Sequence, residues 1–205
     1  LVEPIQSEGG DNFASVDYFR KIRKACTESG IPFIVDEVQT GLATGKVWAH
    51  EHWELDLPPD GVVFSKKFQS AGLYLNSCLT PTDSDLYSYN STWAGDPLRG
   101  EKLTTIIKTI KQEGLLEKSL TIGNLFFQEL AKIPGVRNVR HQGSFGAFDT
   151  DYPDFMVKLF QVRGLLVARC GSSSIRIRPS LVFDEREAQL AIDIISRSLS
   201  RKYDL

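Results

Sequence analysis

Short apolar runs alternate with a segment of helical spacing in the first half of the chain. The runs predict strands over residues 1–5, 33–37, 61–64 and 72–79. Between the first two strands, Phe19, Ile22 and Cys26 recur at helical spacing after the capping residue Ser15, and Gly30 ends the predicted helix. Because near-continuous apolar strands joined by a helix are typical of buried parallel sheets, this half predicts a mainly parallel α/β sheet with a right-handed crossover.

The second half of the chain predicts a smaller sheet covered on one face by helices. Helical spacing extends over residues 98–112, 115–132 and 154–163, and again from Asp184 towards the end. Strands are predicted over residues 136–140, 145–149, 165–169 and 174–179. We therefore expect two domains, residues 1–110 and residues 111–205, with the boundary inside the first long helix of this half.

Composition excludes several classes of partner. The 205 residues carry 24 basic and 26 acidic side chains without a long run of either sign, which argues against nucleic acid and membrane partners. No apolar run approaches the roughly 20 residues needed to cross a bilayer. The three cysteines lie far apart without a CxxC spacing, so the sequence predicts no disulfide framework and no zinc site. The opening LVEPI has the pattern of an internal strand, which indicates a piece of a longer protein.

Charged residues lie at or just past the ends of three of the predicted strands: Glu8, Asp36 and Lys66. Ligands of open α/β sheets bind beyond the carboxyl ends of the strands. Pyridoxal phosphate requires an amine that can form an imine and a carboxylate beside its pyridine nitrogen. Lys66 and Asp36 are candidates for this pair. On spacing alone, a solvated strand end or helix cap for Asp36 and a surface position for Lys66 remain open.

Six segments add a resemblance to a known family: VEPIQSEGGDN, FIVDEVQTG, TGKVWAHEHW, FSKK, STWAGDP and SIRIRPSLVF. In this order and spacing they resemble the class III aminotransferases of fold type I, over essentially all 205 residues. The resemblance implies pyridoxal 5'-phosphate as the cofactor. It also implies that the chain covers the later part of the large cofactor-binding domain and the whole small domain.

The resemblance implies roles for residues of the first predicted domain. Asp36 would pair with the pyridinium nitrogen, Val38 would pack on one face of the cofactor ring, and Gln39 would hydrogen-bond the ring oxygen. Thr92 would reach the cofactor phosphate of a partner subunit, so that a homodimer would share its active sites. The loop after Gln39 is about one residue shorter than in the family, which leaves the substrate open.

The imine-forming lysine is assigned by the same resemblance. Lys66, directly after Ser65 in the cofactor site, would form the internal aldimine and move the proton during catalysis. Its neighbour Lys67 remains an alternative for this role, because periodicity does not separate adjacent lysines. His50 and His52 could suggest a metal pair, but no third ligand is nearby, and we expect a structural role for both.

Two further residues concern the substrate. By resemblance, Arg176 would bind the α-carboxylate of 2-oxoglutarate or glutamate, and Glu8 would neutralise Arg176 in the other half-reaction. Arg178 lies on the same side of the predicted strand as Arg176, and a surface pair on an exposed strand face is the alternative interpretation for these two arginines.

The resemblance implies ping-pong transamination from an ω-amino acid, with 4-aminobutyrate expected first, to 2-oxoglutarate. The products would be succinate semialdehyde and glutamate. A lysine 6-aminotransferase or another ω-aminotransferase is the alternative within the family. A non-catalytic dimerising fragment is the alternative of another class. We expect the mitochondrial matrix, or else the cytoplasm, as the compartment.

Overall fold

The computed structural model describes residues 1–82 and 91–200. Its strands are β1 Ile5–Gln6, β2 Asn12–Phe13, β3 Ile34–Glu37, β4 Gly61–Phe64, β5 Gly72–Leu75, β6 Arg137–Gln142, β7 Phe145–Asp149, β8 Ala168–Cys170 and β9 Ser174–Ile177. Its α-helices are α1 Val16–Glu28, α2 Pro97–Glu113, α3 Leu115–Leu130, α4 Pro153–Val162 and α5 Glu185–Ser200. Two short 3-10 helices span Ala49–Trp53 and Lys66–Phe68.

The chain divides into two compact units. The first unit comprises Leu1–Pro4, Ala14–Leu42 and Trp48–Glu113. The second unit comprises Ile5–Phe13, Ala43–Val47 and Gly114–Leu205. The domain boundary that the sequence predicts between residues 110 and 111 stays a prediction. The two short early segments of the second unit carry no pattern that would separate them from their neighbours in sequence.

The sheet of the first unit contains β3, β4 and β5 in that order. Strands β3 and β4 are parallel, as predicted, with Asp36 opposite Val63, and Val2 adds a parallel bridge to Val35. Strand β5 runs antiparallel to β4 and ends at Leu75, short of the predicted residue 79. The direction reverses because the connection from β4 is too short for the crossover that a parallel strand requires.

Helix α1 packs on this sheet through a small aromatic core. Phe19, Phe33, Val35 and Trp53 are buried together, and the rings of Phe19 and Trp53 stack with centroids 3.8 Å apart. The helix begins as predicted, because Ser15 Oγ accepts a hydrogen bond of 3.2 Å from the Tyr18 N–H.

The sheet of the second unit has the order β6-β7-β9-β8, and every neighbouring pair is antiparallel. Its core side chains come from the strands and from α3, α4 and α5; the largest fully buried ones in this cluster are Phe127, Phe148, Phe160, Leu130, Met156, Ile175 and Ile195. Strand β7 matches the predicted residues, whereas β8 starts at Ala168, where its pairing with β9 begins opposite Arg176. Within the residues described, no helix has the length and hydropathy needed to cross a bilayer.

Candidate active site

The two adjacent carboxylates at the end of β3 have different environments. Side chains alternate between faces along the strand, so Glu37 is fully buried while Asp36 is half-buried. Asp36 Oδ1 accepts a hydrogen bond of 3.0 Å from the Val38 N–H, and the Asp36 N–H donates to the Val2 carbonyl at 2.8 Å. These bonds orient the Asp36 carboxylate at the carboxyl end of the parallel pair.

Glu37 connects the end of β3 to the following 3-10 helix. Its Oε1 accepts from the His50 N–H at 2.8 Å and lies 2.9 Å from His50 Nδ1, and its Oε2 accepts from Thr40 Oγ1 at 2.5 Å. A buried carboxylate is tolerable because these partners satisfy both oxygens. Sequence reasoning did not assign this role to Glu37, since it did not predict that His50 would fold back onto the strand.

Lys66 lies just past the carboxyl end of β4. Ser65 precedes the 3-10 helix Lys66–Phe68, and Lys66 takes a left-handed backbone conformation with φ of 50°. Because β3 and β4 are parallel, Asp36 and Lys66 lie at the same edge of the sheet. A cavity of about 430 Å³ at this edge has Ser65, Lys66, Gln69, Leu98, Arg99 and Lys102 among its lining residues, three of them basic.

The loops after the two strands are held together by a close contact. Gly41 follows the segment of Val38 and Gln39, and its N–H donates to the Glu37 carbonyl at 2.9 Å. A Cβ at Gly41 would lie 2.6 Å from Cε2 of Phe68, so only glycine lets the ring approach this closely. The loop that carries Gln39 therefore packs against the 3-10 helix that begins at Lys66.

Thr92 lies in the turn that precedes α2. The turn ends at Asp96, whose Oδ1 accepts from the Leu98 N–H at 3.1 Å and so caps the helix. The guanidinium of Arg99 lies 4.6 Å from the ring centroid of Trp93. Thr92 is exposed, and its expected contact with a partner subunit stays a prediction.

The second unit brings together the two residues expected to bind substrate. Arg176, on β9, donates from Nη1 to Oε1 of Glu8 in an ion pair. Their side chains are 23% and 69% exposed, so solvent and small solutes have access to the pair. Within this unit, Glu8 and Arg176 are direct partners although they are far apart in sequence.

Arg178 does not form the surface pair considered as an alternative. Its Nη2 donates to Oδ1 of Asp11, a residue that is 0% exposed. Burial lowers the pKa of the Arg178 guanidinium, and the Asp11 carboxylate opposes that shift. The neighbouring Cys170 is buried too, and burial raises the pKa of its thiol to about 11. Sequence reasoning missed the role of Asp11, because nothing in EGGDN indicates a distant arginine.

A family model identifies the class of protein that this fold and these residues define. Residues 1–199 match the model described as aminotransferase class-III, and the chain belongs to this family. The predicted fold class is confirmed by this match and by the structural neighbours reported below.

Individual relatives make the likeness more specific. The chain is 44% identical over 191 residues to 4-aminobutyrate aminotransferase of Dictyostelium discoideum, an alignment that covers 89% of this chain and 38% of the relative. It is 42% identical over 209 residues to mitochondrial 4-aminobutyrate aminotransferase of Sus scrofa, with 98% of this chain and 41% of the relative covered. The chain thus spans about two fifths of the length of these curated relatives.

Solved structures of related enzymes share the fold. Lysine aminotransferase from M. tuberculosis, in its internal aldimine form, matches with a TM-score of 0.86 and 31% identity, over 96% of this chain and 48% of that chain. Ornithine δ-aminotransferase of Plasmodium falciparum matches with a TM-score of 0.82 and 26% identity, over 97% of this chain and 54% of that chain.

Class III aminotransferases depend on pyridoxal 5'-phosphate, and residues of the first unit fit this cofactor. The oriented carboxylate of Asp36 suits a protonated pyridine nitrogen, and Lys66 supplies an amine at the same edge of the sheet. Val38 and Gln39 follow Asp36 on a loop that the Gly41–Phe68 contact holds in place.

Proposed function

We propose that the protein transfers the amino group of 4-aminobutyrate to 2-oxoglutarate, giving succinate semialdehyde and glutamate. The observation that carries the proposal is the Glu8–Arg176 ion pair, found in a chain whose curated relatives include 4-aminobutyrate aminotransferases. The two substrates differ at the reacting carbon, because 2-oxoglutarate carries a carboxylate there and 4-aminobutyrate does not. An arginine that a glutamate neutralises reversibly serves both substrates.

Arg176 would bind the α-carboxylate of 2-oxoglutarate through its guanidinium, whose planar donors match a carboxylate. Glu8 would leave the guanidinium when this substrate binds. When 4-aminobutyrate reacts, Glu8 would return to Arg176, so that no unpaired cation faces an uncharged part of the substrate. The Glu8–Arg176 ion pair of the structure corresponds to the arrangement proposed for the reaction with the amino donor.

Lys66 would hold the cofactor covalently until the substrate amine displaces its Nζ, and the freed Nζ would then take the proton from the amine-bearing carbon of the substrate. Pyridoxal phosphate, when bound, supplies an electron sink for this carbon. Asp36 would keep the pyridine nitrogen protonated, while Val38 and Gln39 would contact the ring. Ser65 would belong to the same site.

We also propose a homodimer in which Thr92 reaches the cofactor phosphate of the partner subunit. A mitochondrial matrix location is proposed with it, because relatives from Sus scrofa, Mus musculus and Homo sapiens carry mitochondrial in their names.

The test uses the full-length protein that contains this chain. Borohydride reduction followed by peptide mapping should place a phosphopyridoxyl group on Lys66. Lys66→Ala should lose the adduct and lower kcat about a thousandfold. The matched control Lys67→Ala should keep both the adduct and the wild-type kcat. An adduct on Lys67 instead would move the imine to the neighbouring lysine.

Substrate assays complete the test. With 2-oxoglutarate as acceptor, 4-aminobutyrate should give a higher kcat/KM than lysine or ornithine. A preference for lysine would favour a lysine 6-aminotransferase. Absence of any adduct after incubation with cofactor would contradict the catalytic proposal and leave a dimerising, non-catalytic protein.

A further inference from the structure

Asp11 and Arg178 form a partly buried ion pair beside the Glu8–Arg176 pair. Asp11 is 0% exposed, and the Arg178 side chain is 19% exposed. The second oxygen of Asp11, Oδ2, has no hydrogen-bond partner within the residues described. A buried carboxylate with an unsatisfied oxygen is costly, and replacing buried ion pairs by apolar residues is often neutral or stabilising. The pair therefore calls for a role besides stability.

Arg140 holds the backbone of the same loop. Its Nε donates to the Asp11 carbonyl at 2.9 Å, and its Nη2 donates to the Gly10 carbonyl. The same guanidinium donates to Ser174 Oγ at 2.6 Å and to Asp149 Oδ1 at 2.9 Å. Ser174 lies on β9 and Asp149 on β7, so Arg140 fixes the loop to two central strands of the sheet.

The loop is also in backbone contact with the turn between β8 and β9. The Gly171 N–H donates to the Glu8 carbonyl at 3.1 Å. A Cβ at Gly171 would lie 2.9 Å from the Gly10 Cα, so the two backbones touch. Within the loop, the Gly10 and Asp11 N–H groups both donate to the Ser7 carbonyl, which closes a compact turn.

We propose that the buried Asp11 and the partly buried Arg140 and Arg178 form a latch that fixes the Ser7–Asp11 loop, so that Glu8 returns to Arg176 from a fixed backbone. The latch residues are positioning residues, since they act through Glu8. The inference rests on the proposed function, because the exchange of Glu8 for a substrate carboxylate is part of it.

The latch explains how the exposed Glu8–Arg176 pair can distinguish the amino donor from the 2-oxo acid. An ion pair in water contributes little when both partners are mobile, because ordering them costs conformational entropy. A fixed loop backbone reduces that cost to the side chains of Glu8 and Arg176. The latch also separates Arg176, on β9, from Arg178, which directly follows the strand: Asp11 engages Arg178, which leaves Arg176 to bind the substrate carboxylate.

Hydrogen exchange of the full-length protein tests the latch without reference to activity. Asp11→Asn keeps the side-chain shape and removes the charge. Exchange in peptides that cover Ser7–Asp11 and Gly171 should become about tenfold faster, because the loop opens more often. The matched control is Asp151→Asn, since Asp151 also pairs with an arginine, Arg137, but is 69% exposed. Unchanged exchange in Asp11→Asn would overturn the proposal.

The two half-reactions test the consequence for Glu8. Asp11→Asn should lower kcat/KM for the amino donor about tenfold relative to kcat/KM for the 2-oxo acid, in the same direction as Glu8→Gln. In the Glu8→Gln background, Asp11→Asn should change that ratio less than about twofold, since both substitutions then act through one interaction. An equal fall in both half-reactions would show a merely structural role and contradict the proposal.

The two hypotheses fail in distinguishable ways. A wild-type protein without transaminase activity contradicts the proposed function, and the exchange experiment still decides whether the latch exists. An active wild type whose loop exchange is insensitive to Asp11→Asn contradicts the latch alone.

Discussion

The side chain of Asp60 joins three elements of the first unit. Its Oδ2 accepts from the Phe33 N–H at 2.8 Å and from Arg23 Nη1 at 2.7 Å, and its Oδ1 accepts from Asn76 Nδ2 at 2.8 Å. The residue therefore links α1, the entry to β3 and the exit from β5. Burial opposes ionisation of the carboxyl, but the hydrogen bonds from Phe33, Arg23 and Asn76 outweigh it and lower the pKa of Asp60.

Asp60→Asn should destabilise the protein in a pH-dependent way. At pH 7 we expect a loss of about 2 kcal/mol in the free energy of unfolding, because an amide N–H would face donors. A carboxyl whose pKa is lowered by folding stabilises the native state above its unfolded pKa of about 3.9, and this stabilisation disappears as the pH falls through the folded value. The difference between wild type and variant should hold from pH 7 to about pH 5 and shrink below about pH 4.

Urea unfolding of both proteins at several pH values measures this difference. Asp56→Asn is the control, because Asp56 is exposed on the same connection and its substitution should change stability by less than about 0.5 kcal/mol. A difference that stayed constant down to pH 3 would show that the ionised carboxylate is not what stabilises this junction.

Substitution by alanine should change the stability of the protein in opposite directions at two glycines within helices, Gly100 and Gly123. Gly123 lies in α3, where a Cβ would meet the carbonyl carbon of Gly143 at 2.4 Å. Gly100 lies in α2 with nothing within 4 Å of its Cβ position. Alanine favours a helix over glycine by about 1 kcal/mol, so Gly100→Ala should stabilise the protein by about 0.5–1 kcal/mol.

Gly123→Ala should instead destabilise the protein by about 1–3 kcal/mol, since the backbone of Gly143 has no room to move away without disturbing the entry to β7. Thermal or urea unfolding of the two variants beside wild type measures both signs. Stabilisation by Gly123→Ala would mean that α3 lies farther from this turn than the structure shows.

Local sequence patterns predicted most of the helices and strands. They did not predict contacts between segments that are distant in sequence. Ser15 caps α1 and Gly30 follows its end, and the apolar run over residues 61–64 coincides with β4, so both elements were predicted closely. The direction of β5 depends on how its short connection packs. Arg140 bonds to Asp11 across 129 positions of sequence, and no period or spacing reveals such a partner. The charged strand ends were predictable; the buried groups that hold them were not.

At the scale of the whole molecule, the proposed sharing of active sites by two chains is open to a direct test. Each site would combine Lys66 of one chain with Thr92 of the other. Lys66→Ala removes the amine, and Thr92→Glu should repel the cofactor phosphate by like charge. Homodimers of either variant should therefore be inactive.

A heterodimer of the two variants should recover activity. One of its two sites combines Lys66 of the Thr92→Glu chain with Thr92 of the Lys66→Ala chain. Differently tagged chains that are co-expressed and purified through both tags should reach about half of the wild-type kcat per dimer. The same two variants mixed after separate folding, without subunit exchange, are the control and should stay inactive. An inactive heterodimer would place Lys66 and Thr92 in the same site within one chain, and the cofactor site would then need no partner residue at this position.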